Sequence, residues 1–180
     1  MVQSHELQIV CAVAMEPPIN SHADAIRDEK LKVLRSLKPW TDETLGLHVV
    51  RGQYTAGTAY GERVHGYKDE PGVDPDSRTE TFVALRTEIS NWRWAGVPFY
   101  LRTGKRLGSR DARIEVNFRP TPHPIFSAPS GLANKLVINL QPKDGLELHM
   151  LAQGQNNRKL ARTAAPALSP VQLDLDFDKS

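Results

Sequence analysis

Leu7, Val10, Cys11 and Ala14 recur at helical spacing before Pro17-Pro18 forbids continuation, so the pattern predicts one buried helix over residues 2–15. A second helix follows, with Ser21 expected to cap it and Asp24 in the capping-box position. Its inward face is Ile26, Val33, Leu34 and Leu37, and Pro39 ends it after Lys38. From residue 45 the period falls to two. Leu45, Leu47, Val49 and Arg51 alternate with Gly46, His48 and Val50, which predicts a strand. Residues 55–78, rich in Gly, Pro, Asp and Glu, hold no sustained period and read as a long loop. The β-prone run 79–89 and the apolar run 97–102 behind the turn at Gly96 predict two further strands. Another is predicted where Ala112, Ile114, Val116 and Phe118 alternate with Arg113, Glu115, Asn117 and Arg119.

Four prolines between Pro120 and Pro129 mark a connection. Beyond it, Leu136, Ile138 and Leu140, then Leu146, Leu148 and Met150, predict a hairpin turning over Pro142-Lys143-Asp144-Gly145. Val171, Leu173, Leu175 and Phe177 predict a last strand, with Asp174, Asp176 and Asp178 on its wet face rather than in a metal box. Helices first and hairpin-connected strands afterwards describe an α+β fold: a large, mainly antiparallel β-sheet with helices packed on one face.

Composition narrows the function classes. The 180 residues, 39% hydrophobic and 24% charged, suit one globular domain with a substantial core. Lys and Arg number 23 against 21 Asp and Glu, a net charge of +2, so no global field draws the chain to nucleic acid or an anionic membrane, and any anion site must be local. The longest apolar stretch, Leu7 to Met15, is far short of the roughly 20 residues of a membrane helix. It is a poor signal peptide too, because His5 and Glu6 stand where a cationic leader would. The one cysteine, Cys11, lies in an apolar run and suits a buried thiol in a reducing compartment, so a cytoplasmic location is expected. Met1 falls directly before an established helix and the last strand runs to the end, so a piece of a longer protein is expected.

Two features could carry chemistry. Arg102-Thr103-Gly104-Lys105-Arg106-Leu107-Gly108-Ser109-Arg110 places four cations and two glycines in nine residues between apolar strands. Glycines let backbone approach a ligand, and Lys and Arg offer charge-assisted hydrogen bonds to phosphate or sugar hydroxyls. The same composition also fits a strand-connecting turn whose solvated cations protect a sheet edge, and the nucleotide P-loop pattern is absent. His5 is the second candidate, since an imidazole titrates near neutral pH and can take a hydroxyl proton while the same carbon loses hydride. On spacing alone it could equally be a cap or a surface residue. The histidines and the single cysteine show no metal-ligand spacing. Trp92, Trp94 and Phe99 around Gly96 are expected to cover the sheet.

The residues Met1-Val2-Gln3-Ser4-His5-Glu6-Leu7-Gln8 and Val13-Ala14-Met15-Glu16-Pro17-Pro18 resemble the helix that carries the catalytic histidine in glucose-6-phosphate dehydrogenases. Arg27-Asp28-Glu29-Lys30, Gly52-Gln53-Tyr54, Gly66-Tyr67, Thr79-Glu80-Thr81-Phe82 and Trp94 through Lys105 continue the likeness in order over nearly the whole chain. The resemblance implies the first step of the pentose phosphate pathway: oxidation of glucose 6-phosphate at C1 to the 6-phosphogluconolactone, with hydride passing to NADP, or to NAD in some members. It implies that His5 is the general base, and that Lys105 and Arg110 bind substrate. It implies a homodimer or higher oligomer built on the sheet.

The departures from the family are as informative. The family binds its nucleotide on a separate N-terminal Rossmann-like domain, whose strand-turn-helix with spaced glycines is absent here, so no cofactor-binding residue is expected in this chain. Also absent are the family's His-Tyr-Leu-Gly-Lys segment and its two further active-site aspartates. Residues 1–180 are thus expected to be a partial C-terminal domain, helical over 1–40 and sheet over 45–180, without turnover alone. The alternative is a domain whose work is association only. Asp111 and Glu115 lie where cations would favour the second, structural NADP of some animal members, so no such site is expected. They also argue against a nucleic-acid face along Arg102 to Arg119.

Overall fold

The computed structural model describes residues 2–59, 61–126, 132–152 and 168–177. It divides into two compact units, residues 1–108 and 109–180.

The first unit opens with a π-helical turn, Val2–Glu6, that runs into α1, Leu7–Ala14. The apolar stripe behaves as its spacing requires: Val10, Cys11 and Ala14 are buried. α2 spans Ala23–Arg35. Its N-cap is His22 rather than Ser21, and the His22 N–H is met by the Asn20 side chain at 3.0 Å while Asp24 pairs with Arg27 at 2.7 Å. The expected capping box at Ser21 therefore does not form. Beyond α2 the chain docks on a strand, as Lys38 N–H donates to the Glu88 carbonyl at 2.9 Å and Ser90 N–H to the Ser36 carbonyl at 2.7 Å.

Residues 45–48, read above as strand, are the second half of α3, Asp42–His48. A capping box made by Thr41 and Thr44 starts this helix, and Asp42 and Glu43 in its first turn complement the positive end of the helix dipole. These local signals outweigh the two-residue alternation, and the strand β1 is confined to Val49–Gly52.

The expected loop 55–78 contains a short hairpin, β2 (Gly57–Ala59) with β3 (Glu62–Val64), and one 3-10 turn, Tyr67–Asp69. β4 (Phe82–Glu88) and β5 (Pro98–Gly104) then pair antiparallel, giving a three-stranded sheet in the order β1-β4-β5. Val10, Cys11, Ala14 and Val33 from the helices meet Ile89 and Leu101 from the sheet side, with Leu85, Trp94 and Phe99 packed around them. Fully burying each aliphatic side chain contributes about 1.5–3 kcal/mol, so Ile89, 1% exposed, is where truncation to Ala would cost the unit most, about 2–5 kcal/mol.

The second unit is a four-stranded antiparallel meander of β6 (Ala112–Asn117), β7 (Lys135–Gln141), β8 (Gly145–Ala152) and β9 (Ser169–Asp176). Register places Val116 opposite Leu136, Leu136 opposite Leu148 and Leu148 opposite Leu173; Ile114, Ile138, Leu146 and Leu175 form the next row. Residues directly opposite share a face, so these rows make one apolar face. The other face carries Arg113, Glu115, Lys135, Asn139, Glu147, His149, Gln172 and Asp174, with Val137 the buried apolar residue among them. Asp178 and Pro129 lie outside the described residues.

The α+β class and the antiparallel pairing are as the periodicity implied. The strands are distributed over three sheets of three, two and four strands among the described residues. No helix is long and apolar enough to cross a membrane.

Candidate functional site

His5 lies in the π-helical turn, a helix irregularity that recurs at functional sites. Its ring is exposed, and Nδ1 is 2.9 Å from the Ser4 hydroxyl. The turn packs against β5. There burial pushes the neighbouring Glu6 carboxyl above the usual glutamate range, and the Thr103 hydroxyl and the nearby His5, which favour the ionised form, partly offset the rise.

Lys105 follows Thr103 by two residues, directly beyond the end of β5. Its backbone is fixed by donation from its N–H to the Thr81 carbonyl at 2.8 Å, while its side chain is exposed and, among the described residues, has no carboxylate partner. Gly104 sits close against its neighbours, since a Cβ at that position would meet the Phe82 ring at 3.0 Å and Leu107 at 3.1 Å, and both would have to shift by a few tenths of an ångström. The sequence therefore brings the segment bearing a proton acceptor onto the strand that ends in a cation. Arg110, the third expected site residue, belongs to the second unit, two residues before β6. Next to it Ser109 donates to Asp111 at 2.8 Å, and Arg113 pairs with Glu115 at 2.9 Å, so cations and carboxylates alternate along this edge.

Two parts of the site were not read from the sequence. Glu6 is one, since its link to Thr103 joins distant segments. The other is Arg106, counted above only as one of four cations. Its guanidinium is committed to the Glu70 carboxylate and lies 5.0 Å from the centroid of the Tyr54 ring. A glutamate following a glycine-tyrosine turn gives no sequence signal that it answers an arginine beyond two strands.

The helix that continues from His5 is anchored at its far end. Trp94 Nε1 donates to the Ala14 carbonyl at 3.0 Å, and Arg93 makes a two-pronged pair with Glu16 at 2.6 Å on both oxygens. Trp94 and Phe99 meet edge to face at 5.2 Å over the core. Trp92, expected with them, is fully exposed instead, because Asn91 caps the turn through Trp94 N–H and directs only Trp94 inward.

Among the described residues all strand pairs are antiparallel, and none forms the strand-turn-helix crossover that cradles a dinucleotide pyrophosphate.

The family model described as "Glucose-6-phosphate dehydrogenase, C-terminal domain" matches residues 1–180. A glucose-6-phosphate 1-dehydrogenase of Rhizobium meliloti is 54% identical over 98% of the chain and 35% of its own length. That of Zymomonas mobilis is 52% identical over 85% of the chain and 32% of its own length. The chain thus spans about a third of the relatives it matches. The crystal structure of the Mycobacterium avium enzyme superposes with a TM-score of 0.74 at 38% identity, covering 99% of the chain and 34% of that structure. A glucose-6-phosphate dehydrogenase in complex with glucose-6-phosphate gives 0.75 at 31% identity, with 96% and 32% covered. On these matches the chain belongs to the glucose-6-phosphate dehydrogenase family, as its C-terminal domain.

Proposed function

We propose that this chain supplies the proton-accepting and part of the sugar-phosphate-binding half of a glucose-6-phosphate dehydrogenase, with His5 as general base and Lys105 and Arg110 as substrate contacts. The observation that carries the reading is the packing of the His5 turn onto β5, the strand beyond whose end stands the exposed Lys105, without a carboxylate partner among the described residues. A base that removes the C1 hydroxyl proton must reach the sugar while a cation holds it, and these two segments meet. The neighbouring Ser4 hydroxyl, 2.9 Å from Nδ1, orients the ring. The dehydrogenase reaction needs a nicotinamide cofactor to receive the hydride. We assign NADP to a part of the enzyme other than residues 1–180, so these residues alone belong to a divided active site.

The chain works in this reading as a domain of a cytoplasmic oligomer. Cys11 is a free, buried thiol, held above the usual thiol range by desolvation and partly brought back by the Lys30 charge, so it stays protonated and inert. The apolar face of the second unit is the surface on which a second copy would pack.

The test uses a chimera in which residues 1–180 replace the matching segment of the Rhizobium relative. NADP reduction with glucose 6-phosphate is expected from the chimera and not from the 180-residue chain. In the chimera, His5→Asn is expected to lower kcat by a factor of about 10² or more. A change confined to KM would remove His5 from the role of base.

A further inference from the structure

Lys105 and Arg106 are adjacent cations in one turn, yet the structure treats them differently. Arg106 gives its guanidinium to Glu70 and covers the Tyr54 ring. The Tyr54 hydroxyl donates to the same Glu70 carboxylate at 3.3 Å, its backbone N–H donates to the Thr81 hydroxyl at 2.9 Å, and its ring meets Tyr67 edge-on at 5.8 Å. Tyr67 N–H donates back to the Tyr54 carbonyl at 3.0 Å, and Thr81 accepts from Lys105 N–H. The contacts close a ring: turn to Glu70, Glu70 to Tyr54, Tyr54 to Thr81, Thr81 to the turn. Arg106 also has φ 54, a left-handed backbone that side chains rarely adopt and that a glycine would hold without strain. An arginine persists in that strained conformation only where its side chain is held. The Arg106 and Glu70 side chains are 34% and 25% exposed, shielded enough for the pair to matter more than an open surface bridge.

We propose that Arg106 is a positioning residue rather than a ligand of the anion: clasped by Glu70 and Tyr54, it fixes the left-handed bend of the turn, and of the two adjacent cations it leaves Lys105 available to the sugar phosphate. The inference rests on the reading of Lys105 given above. It gives the loop 53–81 a purpose, since Glu70 and Tyr54 both come from it.

Four variants decide the matter in the chimera: Arg106→Gly, Glu70→Gln, the two combined, and Arg106→Lys. Gly accepts φ 54, so the first removes the guanidinium without obstructing the bend. Arg106→Gly and Glu70→Gln are each expected to raise the KM for glucose 6-phosphate about tenfold with kcat held within about twofold, and the double change to be no worse than either. Arg106→Lys should recover part of the loss, because it keeps the charge but not the planar fork. If Arg106→Gly raises KM while Glu70→Gln leaves it unchanged or lowers it, Arg106 touches the substrate and the proposal falls. If neither change moves KM, it falls as well. Should the parent chimera show no turnover, the functional reading fails, and amide exchange in the 180-residue chain still judges the clasp. The Lys105 and Tyr67 N–H groups are expected to exchange at least about tenfold faster in Arg106→Gly and in Glu70→Gln, and unaltered exchange overturns it.

Discussion

Glu6 brings a carboxyl to a half-buried position beside the proposed base, and the consequence is a pH dependence of stability. Burial raises its pKa in the folded chain above the ordinary 4.5, so the folded state holds this proton more tightly than the unfolded state does. Its contribution to stability is therefore complete below the unfolded value and is lost as pH rises through the folded one. Above that window the ionised group weighs against the fold. Glu6→Gln mimics the protonated form, keeps an acceptor for Thr103 and removes the titration. The change in Tm between pH 4 and pH 7, followed by circular dichroism, is expected to shrink by about 1–2 °C relative to the parent, a scale set by the partial burial. An unaltered pH profile would show that Glu6 is solvated. Nothing in the local sequence announces this residue, because the side chain that answers it, Thr103, is remote in the chain. His5 and Lys105 are proposed on motif likeness, which no local spacing supplies. Arg106 drew no reading of its own, because composition counts a cation without showing whether a carboxylate already holds it.

At the scale of elements, the long periodic segments were readable and the short ones were not. α1 and the strands β4 to β9 form where the periodicity placed them; in α1 the pattern records the buried face, whereas β9 alternates in sequence although all of it is exposed. α3 defeated the reading because a seven-residue helix with Gly46 inside it leaves almost no period, while Leu45, Leu47 and Val49 imitate a strand. The π-helical opening of α1 has no sequence signature at all. What holds that helix in place is Trp94, which satisfies the Ala14 carbonyl, one of the last carbonyls of α1 that have no partner within the helix. Trp94→Phe keeps the ring packing against Phe99 but removes the donor, and is expected to destabilise the chain by about 1 kcal/mol. Urea denaturation would show a lower midpoint at unchanged slope. Trp92→Phe, at a fully exposed position in the same turn, is expected to fall within about 0.5 kcal/mol of the parent. Equal effects of the two changes would mean that the hydrogen bond to Ala14 carries no weight.

At the scale of the molecule, the second unit has an apolar face that its own strands do not cover. Leu173, Leu175 and Phe177 are 50%, 60% and 56% exposed, and β9, which carries the two leucines, is an edge strand among the described residues. Single exposed leucines are ordinary, but a row that continues through Leu146 and Leu148 into Leu136 and Ile138 is a surface of the kind that associates. A second copy could pack on this face or extend the sheet through the free backbone of β9, and the two modes respond differently to substitution. Side-chain packing is broken by Leu173→Glu with Leu175→Glu, whereas edge pairing through N–H and C=O groups would survive both. Asp174→Asn on the opposite face serves as the control, since it alters charge without touching the apolar row. Sedimentation velocity is expected to give a dimer for the parent and for Asp174→Asn, and a monomer for the double leucine variant. A double variant that stays dimeric would move the interface to the strand edge. A parent that sediments as a monomer would instead leave the leucine row without a second copy to cover it.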